Sequence, residues 1–233
     1  MNTVNELTLA LLTGLAAGKS TIYVFNRIPA KWLCEYGEKP SREMWGERVR
    51  RKPWEALLMM VFAAVCVYLM AYGPRYFLAG VLSLWILLQI AMADKKYMII
   101  PDQYVVALAV CGIGFLPFHP LFPDVLLGAI LGGGSFFLVG LAGKLFFKKD
   151  TVGFGDVKLL FSVGILAGIR GMAIILIFTV FLSALVLGIG LLRHRFTKDA
   201  EQPLGPFIAF STAMYILFFE QLEFLLDWYL GAL

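Results

Sequence analysis

The feature that most constrains this chain is a succession of long apolar runs separated by short polar segments. Eight such runs fall at about 4–26, 54–73, 75–93, 103–119, 122–147, 155–169, 171–192 and 205–230. A helix needs about 20 mostly apolar residues to cross a bilayer, and 60% of this 233-residue chain is hydrophobic, which is more than one soluble core can bury. The sequence therefore predicts an all-α, polytopic membrane bundle of about eight transmembrane helices, with 1–233 as a single membrane domain.

Lysine and arginine are distributed unequally among the connections between these runs. The connections after the first, third, fifth and seventh runs are basic, whereas those after the second, fourth and sixth carry only Arg75 and Arg170. Positive residues are enriched on the cytoplasmic side of membrane proteins. We therefore expect a multi-pass protein of the cytoplasmic membrane with both chain ends outside the cytoplasm. Because the positive charge is spread over short connections, it does not indicate nucleic-acid binding.

The longest hydrophilic segment lies at 27–53. Its sequence is RIPAKWLCEYGEKPSREMWGERVRRKP, in which basic side chains outnumber acidic ones. We interpret it as a basic cytoplasmic loop between helices one and two, with an amphipathic helix around Arg42 to Arg51. A loop that sets topology and lies on anionic lipid is favoured over a dedicated partner site.

Two aspartates stand at the ends of apolar runs, where an ionisable group is rarely kept without a use. Asp94 ends the third run and Asp156 begins the sixth, and the charge pattern places both on the cytoplasmic face. Two carboxyls brought close do not both ionise easily, so they share a proton. Such a pair can activate water with its ionised member and protonate a scissile carbonyl with its neutral one, as in aspartic proteases.

Two glycines precede the second aspartate. Gly153 and Gly155 flank Phe154, and their lack of a side chain would let a substrate backbone approach. A helix-end charge at Asp94 and a helix N-cap at Asp156 explain the same residues without catalysis. The pattern G-x-G-D alone is too short to decide between the two interpretations.

Longer stretches around these aspartates resemble the type IV prepilin peptidases, a family of membrane aspartyl proteases. GFGDVKLL at 153–160 resembles the GxGD motif of that family. Asp94 is followed seven residues later by Pro101, with Asp102 next, at the family's spacing. NRIP at 26–29 and PLGPFIAF at 203–210 resemble two further family segments. The resemblance runs in the family's order from about residue 18 to 215.

The resemblance implies roles for individual residues and a class of substrate. Asp94 and Asp156 would be the catalytic pair, Gly153 and Gly155 the motif glycines, and Lys158 the lysine that commonly follows the aspartate. Asp102 competes with Asp94, but a Pro-Asp pair is an ordinary helix start. The implied partners are prepilins or type II secretion pseudopilins, cut before their apolar N-terminal helix at the cytoplasmic membrane face. Proteolysis of this kind needs no cofactor.

Cysteine content departs from the pattern of many bacterial members. Those have a larger first loop with two CxxC pairs that resemble a zinc site, whereas this chain has only Cys34 there and three cysteines in all. No metal site is therefore expected. The second activity of such members, N-methylation of the new pilin terminus with S-adenosylmethionine, stays open for this chain.

Two alternative functions remain. A non-enzymatic membrane transporter would concentrate ionisable residues near mid-bilayer on broken helices, whereas here they collect at helix ends. An archaeal-type preflagellin peptidase would share the aspartates, but GPFIA at 205–209 favours the prepilin peptidases.

Overall fold

The computed structural model describes residues 3–35, 37–148, 152–193 and 202–231, and no strand occurs among them. Long apolar runs form helices because a backbone in lipid must satisfy its own hydrogen bonds. The helices are α1 (Thr3–Phe25), α2 (Trp54–Met70), α3 (Pro74–Tyr97), α4 (Asp102–Ile113), α5 (Phe122–Ala129), α6 (Ser135–Phe147), α7 (Phe154–Leu192), α8 (Gly205–Leu217) and α9 (Phe219–Gly231). A π-helical turn, Ile130–Gly134, joins α5 to α6. The predicted all-α class is confirmed.

The eight spans predicted from the sequence can be compared with the lengths of the helices. By length and composition, four helices of the described chain can cross a membrane, namely Val4–Phe25, Pro74–Tyr97, Phe122–Phe146 and Phe154–Leu192, and the pair α8 and α9, bent by 89°, makes a fifth if counted as one span. The predicted eight are therefore not confirmed. α2 and α4 have 17 and 12 residues, fewer than the about 20 that a span needs. The predicted runs 155–169 and 171–192 correspond to the two parts of α7 on either side of an interruption at Gly168.

α7 is interrupted at Gly168, which has φ 66° and ψ −178°. His119 Nε2 lies 2.9 Å from the Leu166 carbonyl, and Asp124 Oδ1 accepts a hydrogen bond of 3.3 Å from the Ile169 N–H. A Cβ at position 168 would lie 2.1 Å from Asp124 Oδ2. Only glycine fits here, because the backbone is in a glycine region and the side-chain space is taken.

α7 is also the helix on which α4, α5 and α8 pack, while α1 packs on α2. α5 meets α7 backbone to backbone: a Cβ at Gly128 would lie 2.6 Å from the Gly164 carbonyl oxygen. Small residues of this kind let membrane helices approach closely. The packing brings the start of α7, the end of α3 and the start of α8 together at one end of the bundle.

The loop 27–53 corrects one prediction. The amphipathic helix expected around Arg42 to Arg51 is absent, and this stretch contains only the 3₁₀ turn Arg42–Met44. The reason is Arg48, which is 8% exposed. Its guanidinium donates to the carbonyls of Phe25 and Ile28 at 2.5 Å and to Met44 at 2.9 Å. Burial lowers the pKa of this guanidinium from its ordinary value, but arginine stays charged.

Asn26 anchors the same loop to the end of α1. Its Oδ1 accepts hydrogen bonds of 2.9 Å from the backbone N–H groups of Arg48 and Val49, and its Nδ2 donates to the Val49 carbonyl. From α3, Lys96 donates to the Arg48 carbonyl. The loop is thus folded onto the bundle by specific hydrogen bonds instead of lying free as a basic helix.

Candidate active site

Asp94 occupies the last turn of α3 and is 5% exposed. Its Oδ2 accepts a hydrogen bond of 2.7 Å from the backbone N–H of Gly205, the first residue of α8. A helix N-terminus has unpaired N–H groups and attracts negative charge. The absence of a side chain at Gly205 permits this contact, because a Cβ there would lie 2.6 Å from the same oxygen. Asp94 therefore ties two helices together.

Asp156 is the third residue of α7, and Gly153 is the N-cap of that helix. Its backbone N–H donates to the Gly153 carbonyl at 3.1 Å. The side-chain Oδ1 is buried and has no hydrogen-bond partner in the part of the chain that the structure describes. A buried polar atom without a partner requires an explanation, and a catalytic role is one of the common explanations.

The two aspartates line a single cavity of about 470 Å³, and they are near enough for their charges to interact. All five residues predicted from the sequence line this cavity, and Asp102 does too. The lining consists of Lys31, Trp32, Cys34, Glu35, Asp94, Met98, Ile99, Ile100, Pro101, Asp102, Gln103, Gly153, Phe154, Gly155, Asp156 and Lys158. The structure thus brings together residues from α3, α4, α7 and the loop after α1.

Lys158 and Asp102 form an ion pair at the edge of the cavity. Lys158 Nζ lies 2.8 Å from Asp102 Oδ1 and 3.0 Å from Oδ2, and both side chains are substantially exposed. The Asp102 carboxylate is therefore paired with the Lys158 ammonium group, whereas the Asp94 carboxyl contacts a backbone N–H. This difference favours Asp94 over Asp102 as the partner of Asp156.

The motif glycines allow close packing around Asp156. A Cβ at Gly155 would lie 3.2 Å from Ile100 Cβ, and one at Gly153 would lie 3.1 Å from Asp156 Oδ2. The first contact brings the connection between α3 and α4 against the start of α7. The second leaves room for the Asp156 carboxyl to turn towards the helix N-terminus.

Sequence reasoning missed the contribution of the loop after α1. Lys31, Trp32, Cys34 and Glu35 form one wall of the cavity, and the Trp32 ring packs edge-on against Tyr104 at 6.1 Å between centroids. The basic composition of the loop alone indicates a topology determinant. One signal pointed here, since these residues directly follow the NRIP segment at 26–29.

The cavity can be compared with the needs of a metal or S-adenosylmethionine. No group of three or more His, Cys, Asp or Glu side chains suited to a metal occurs among the described residues. The acidic residues of the lining are the pair itself, Asp102 in its ion pair, and Glu35. These acidic side chains have no feature that would select a nucleoside cofactor over a peptide. The cavity therefore supports no methyl-transfer step.

These features define a helical membrane protein in which two aspartates from different helices line one cavity. Residues 81–192 match the model of the Type IV leader peptidase family. This matched stretch contains Asp94 and Asp156. The recognition made from the motifs is confirmed.

Several curated relatives carry the name Prepilin leader peptidase/N-methyltransferase. The chain is 29% identical over 163 residues to that of Aeromonas salmonicida (strain A449), covering 67% of the chain and 53% of the relative. It is 33% identical over 152 residues to that of Pseudomonas aeruginosa, covering 62% and 50%. It is 28% identical over 204 residues to that of Xanthomonas campestris pv. campestris, covering 85% of the chain and 66% of the relative. These matches span about half to two thirds of the relatives' length. No solved structure matches the chain.

Proposed function

We propose that this protein is a membrane aspartic endopeptidase that removes the leader peptide of type IV prepilins or type II secretion pseudopilins. The observation that carries the proposal is the cavity that Asp94 and Asp156 line together. The family of residues 81–192 and the names of the relatives support it.

The proposed chemistry needs only the two carboxyls and a water. One shared proton leaves one carboxyl ionised and the other neutral. The ionised carboxyl removes a proton from the water, which attacks the scissile carbonyl, and the neutral carboxyl donates its proton to the carbonyl oxygen. The carboxyl that took the proton from the water then donates it to the leaving nitrogen as the peptide bond breaks, and the other carboxylate takes a proton from a hydroxyl of the intermediate. The Gly205 N–H holds Asp94 in place during these steps.

The proposed location follows from charge and from the position of the cavity. The cavity lies at helix ends, and the basic loop 27–53 supplies part of its wall. Positive loops face the cytoplasm, so the cut would occur at the cytoplasmic face, where the substrate's apolar helix emerges. Methylation of the new terminus is a separate proposal, supported only by the name of the relatives.

Co-expression with a type IV prepilin followed by mass spectrometry of its N-terminus tests the proposal. Wild-type protein should remove the leader, and Asp94→Asn and Asp156→Asn should each abolish removal. The same spectrum reports methylation as a separate mass increment. An unprocessed prepilin in the presence of well-inserted wild-type protein would contradict the assignment.

A further inference from the structure

An apolar groove of about 810 Å³ runs along the side of the bundle between α4 and α6, with α7 as its floor. α4 and α6 each pack on α7 and have at most marginal contact with each other. The α4 wall presents Val106, Ala109 and Val110, and the opposite wall includes Gly134 and Phe137. Val106, Val110 and Phe137 are exposed, so in a bilayer the groove opens to the membrane interior.

The groove continues into the catalytic cavity. Asp102 and Lys158 line both spaces, and their ion pair bridges α4 and α7 at the junction. From Asp102, the groove follows α4 as far as Ile113, a distance of roughly 17 Å at 1.5 Å per residue. A chain that left the cavity at this junction would enter the apolar groove directly.

The wall chemistry fits an apolar helix. Ala109 and Gly134 are small residues, one on each wall of the groove. A Cβ at Gly134 would meet only Ile130 Cγ2, at 3.7 Å. Small residues are the usual sites of close helix contact in membranes. The hydroxyl of Ser162, a polar group of the floor, already donates to the Lys158 carbonyl at 3.2 Å. Charged groups of the lining stand only at the end next to the catalytic cavity.

We propose that the apolar helix of the substrate, which follows the scissile bond, docks in this groove while the bond lies between Asp94 and Asp156. The inference rests on the proposed function and extends it by naming the surface that binds the substrate. A competing surface exists: a groove of about 390 Å³ between α2, α3 and α8. Of the described residues, none lines both that groove and the catalytic cavity.

Two matched alanines allow the grooves to be filled one at a time. Ala109 lines the first groove and Ala213 the second, and both are half-buried on helices. Ala109→Trp and Ala213→Trp are each assayed in phosphatidylethanolamine and phosphatidylglycerol vesicles on a full prepilin. They are also assayed on a water-soluble peptide with the leader and scissile bond but only the first residues of the apolar helix.

The two substrates separate docking from chemistry. Ala109→Trp should lower kcat/KM for the full prepilin by about tenfold more than for the short peptide, because only the full substrate uses the groove. Ala213→Trp should lower both by the same small factor. An equal loss on both substrates for Ala109→Trp, or a substrate-selective loss for Ala213→Trp, would overturn the proposal.

Photocrosslinking gives a readout that needs no cleavage. Benzoylphenylalanine is placed at Val110 in the first groove or at Val61 in the second, in the Asp156→Asn background, and irradiated with full prepilin. A crosslink to the substrate's apolar helix from Val110 and not from Val61 supports the proposal. Crosslinks from Val110 only to lipid or to a second copy of the enzyme overturn it. Failure of the proposed function itself would appear differently, as an uncut prepilin with wild-type enzyme.

Discussion

The Asp94 carboxylate at the end of α3 accepts a hydrogen bond from the Gly205 backbone N–H at the start of α8, over 2.7 Å. Both groups are buried, so this bond fixes the carboxylate without involving another side chain. It also gives a physical meaning to the GPFIA segment, since only glycine leaves room for the contact.

Gly205→Ala should impair cleavage strongly while leaving the protein in the membrane. The new Cβ would stand 2.6 Å from Asp94 Oδ2 and push the carboxyl away from Asp156. A misplacement of about 1 Å at a catalytic group can cost about 100-fold in rate. Gly188→Ala, at a glycine with no atom within 4 Å of the added Cβ, is the control. Equal rates for the two variants, measured by loss of the prepilin leader, would show that the contact is not needed.

The three aspartates near the cavity should differ in their effects. Asp94→Asn and Asp156→Asn keep the shape of the side chain but remove the shared proton, so each should abolish leader removal. Asp102→Asn should retain substantial activity, because its exposed ion pair with Lys158 is worth about 1 kcal/mol or less. Gel mobility of the prepilin measures all three. An inactive Asp102→Asn beside an active Asp94→Asn would reverse the assignment.

The sequence predicted the local features of this site, but not a contact between helices that are far apart along the chain. Hydrophobic runs predicted the helices, and motif spacing predicted that Asp94 and Asp156 are used together. The bond from Gly205 to Asp94 could not be foreseen, because it depends on how α8 packs after a long intervening stretch. The resemblance of PLGPFIAF to a family segment indicated that this region matters, but not that Gly205 contacts Asp94.

Local irregularities were the other source of error. Hydropathy correctly divided α7 near Gly168, but it gave no account of the contacts of Asp124 and His119 at that interruption. It also predicted α2 and α4 as spans, which their lengths of 17 and 12 residues do not confirm. In the loop 27–53 the basic residues indicated an amphipathic helix, whereas Arg48 turns inward to bind carbonyls. A buried arginine cannot be recognised from charge pattern alone.

Arg48→Met should loosen the wall of the cavity that the loop provides. The change removes the donors to the Phe25, Ile28 and Met44 carbonyls, and each unsatisfied buried carbonyl costs about 1–3 kcal/mol. We expect faster proteolytic cutting within 27–53 and a lower cleavage rate. Arg50→Met, at an exposed neighbouring arginine, should change neither. If both variants resist protease like the wild type, the buried guanidinium does not hold the loop.

Gly168→Ala should lower the thermal stability of the protein in detergent. Its φ of 66° and ψ of −178° cost about 1–3 kcal/mol for a residue with a side chain, and the added Cβ would meet Asp124 Oδ2. The Gly168→Ala, Asp124→Ala double variant should lose less stability than the sum of the two single variants, because the second change removes that clash, although it also removes the bond to the Ile169 N–H. Intrinsic fluorescence during heating measures the midpoint. A single variant as stable as wild type would mean that the interruption of α7 is not needed for stability.

The position of the carboxyls also predicts where the substrate is cut. Asp94 lies in the last turn of α3 and Asp156 in the first turn of α7, so both are at helix ends. They can reach only a peptide bond at the point where the substrate's apolar helix begins. A regular helix protects its carbonyls by hydrogen bonds. A small residue before the bond should therefore be preferred, since glycine disfavours helix by about 1 kcal/mol relative to alanine.

Two substrate changes test that boundary. Replacing a glycine before the scissile bond by isoleucine should slow cleavage, since a bulky β-branched residue needs more room in the cavity that Asp156 and the loop after α1 line. Moving the start of the apolar helix by one turn should slow cleavage at the original bond, because that bond no longer lies at the helix boundary. Mass spectrometry of the product gives both the rate and the site. Efficient cleavage at the original bond in both substrates would refute the boundary while leaving the roles of Asp94 and Asp156 standing.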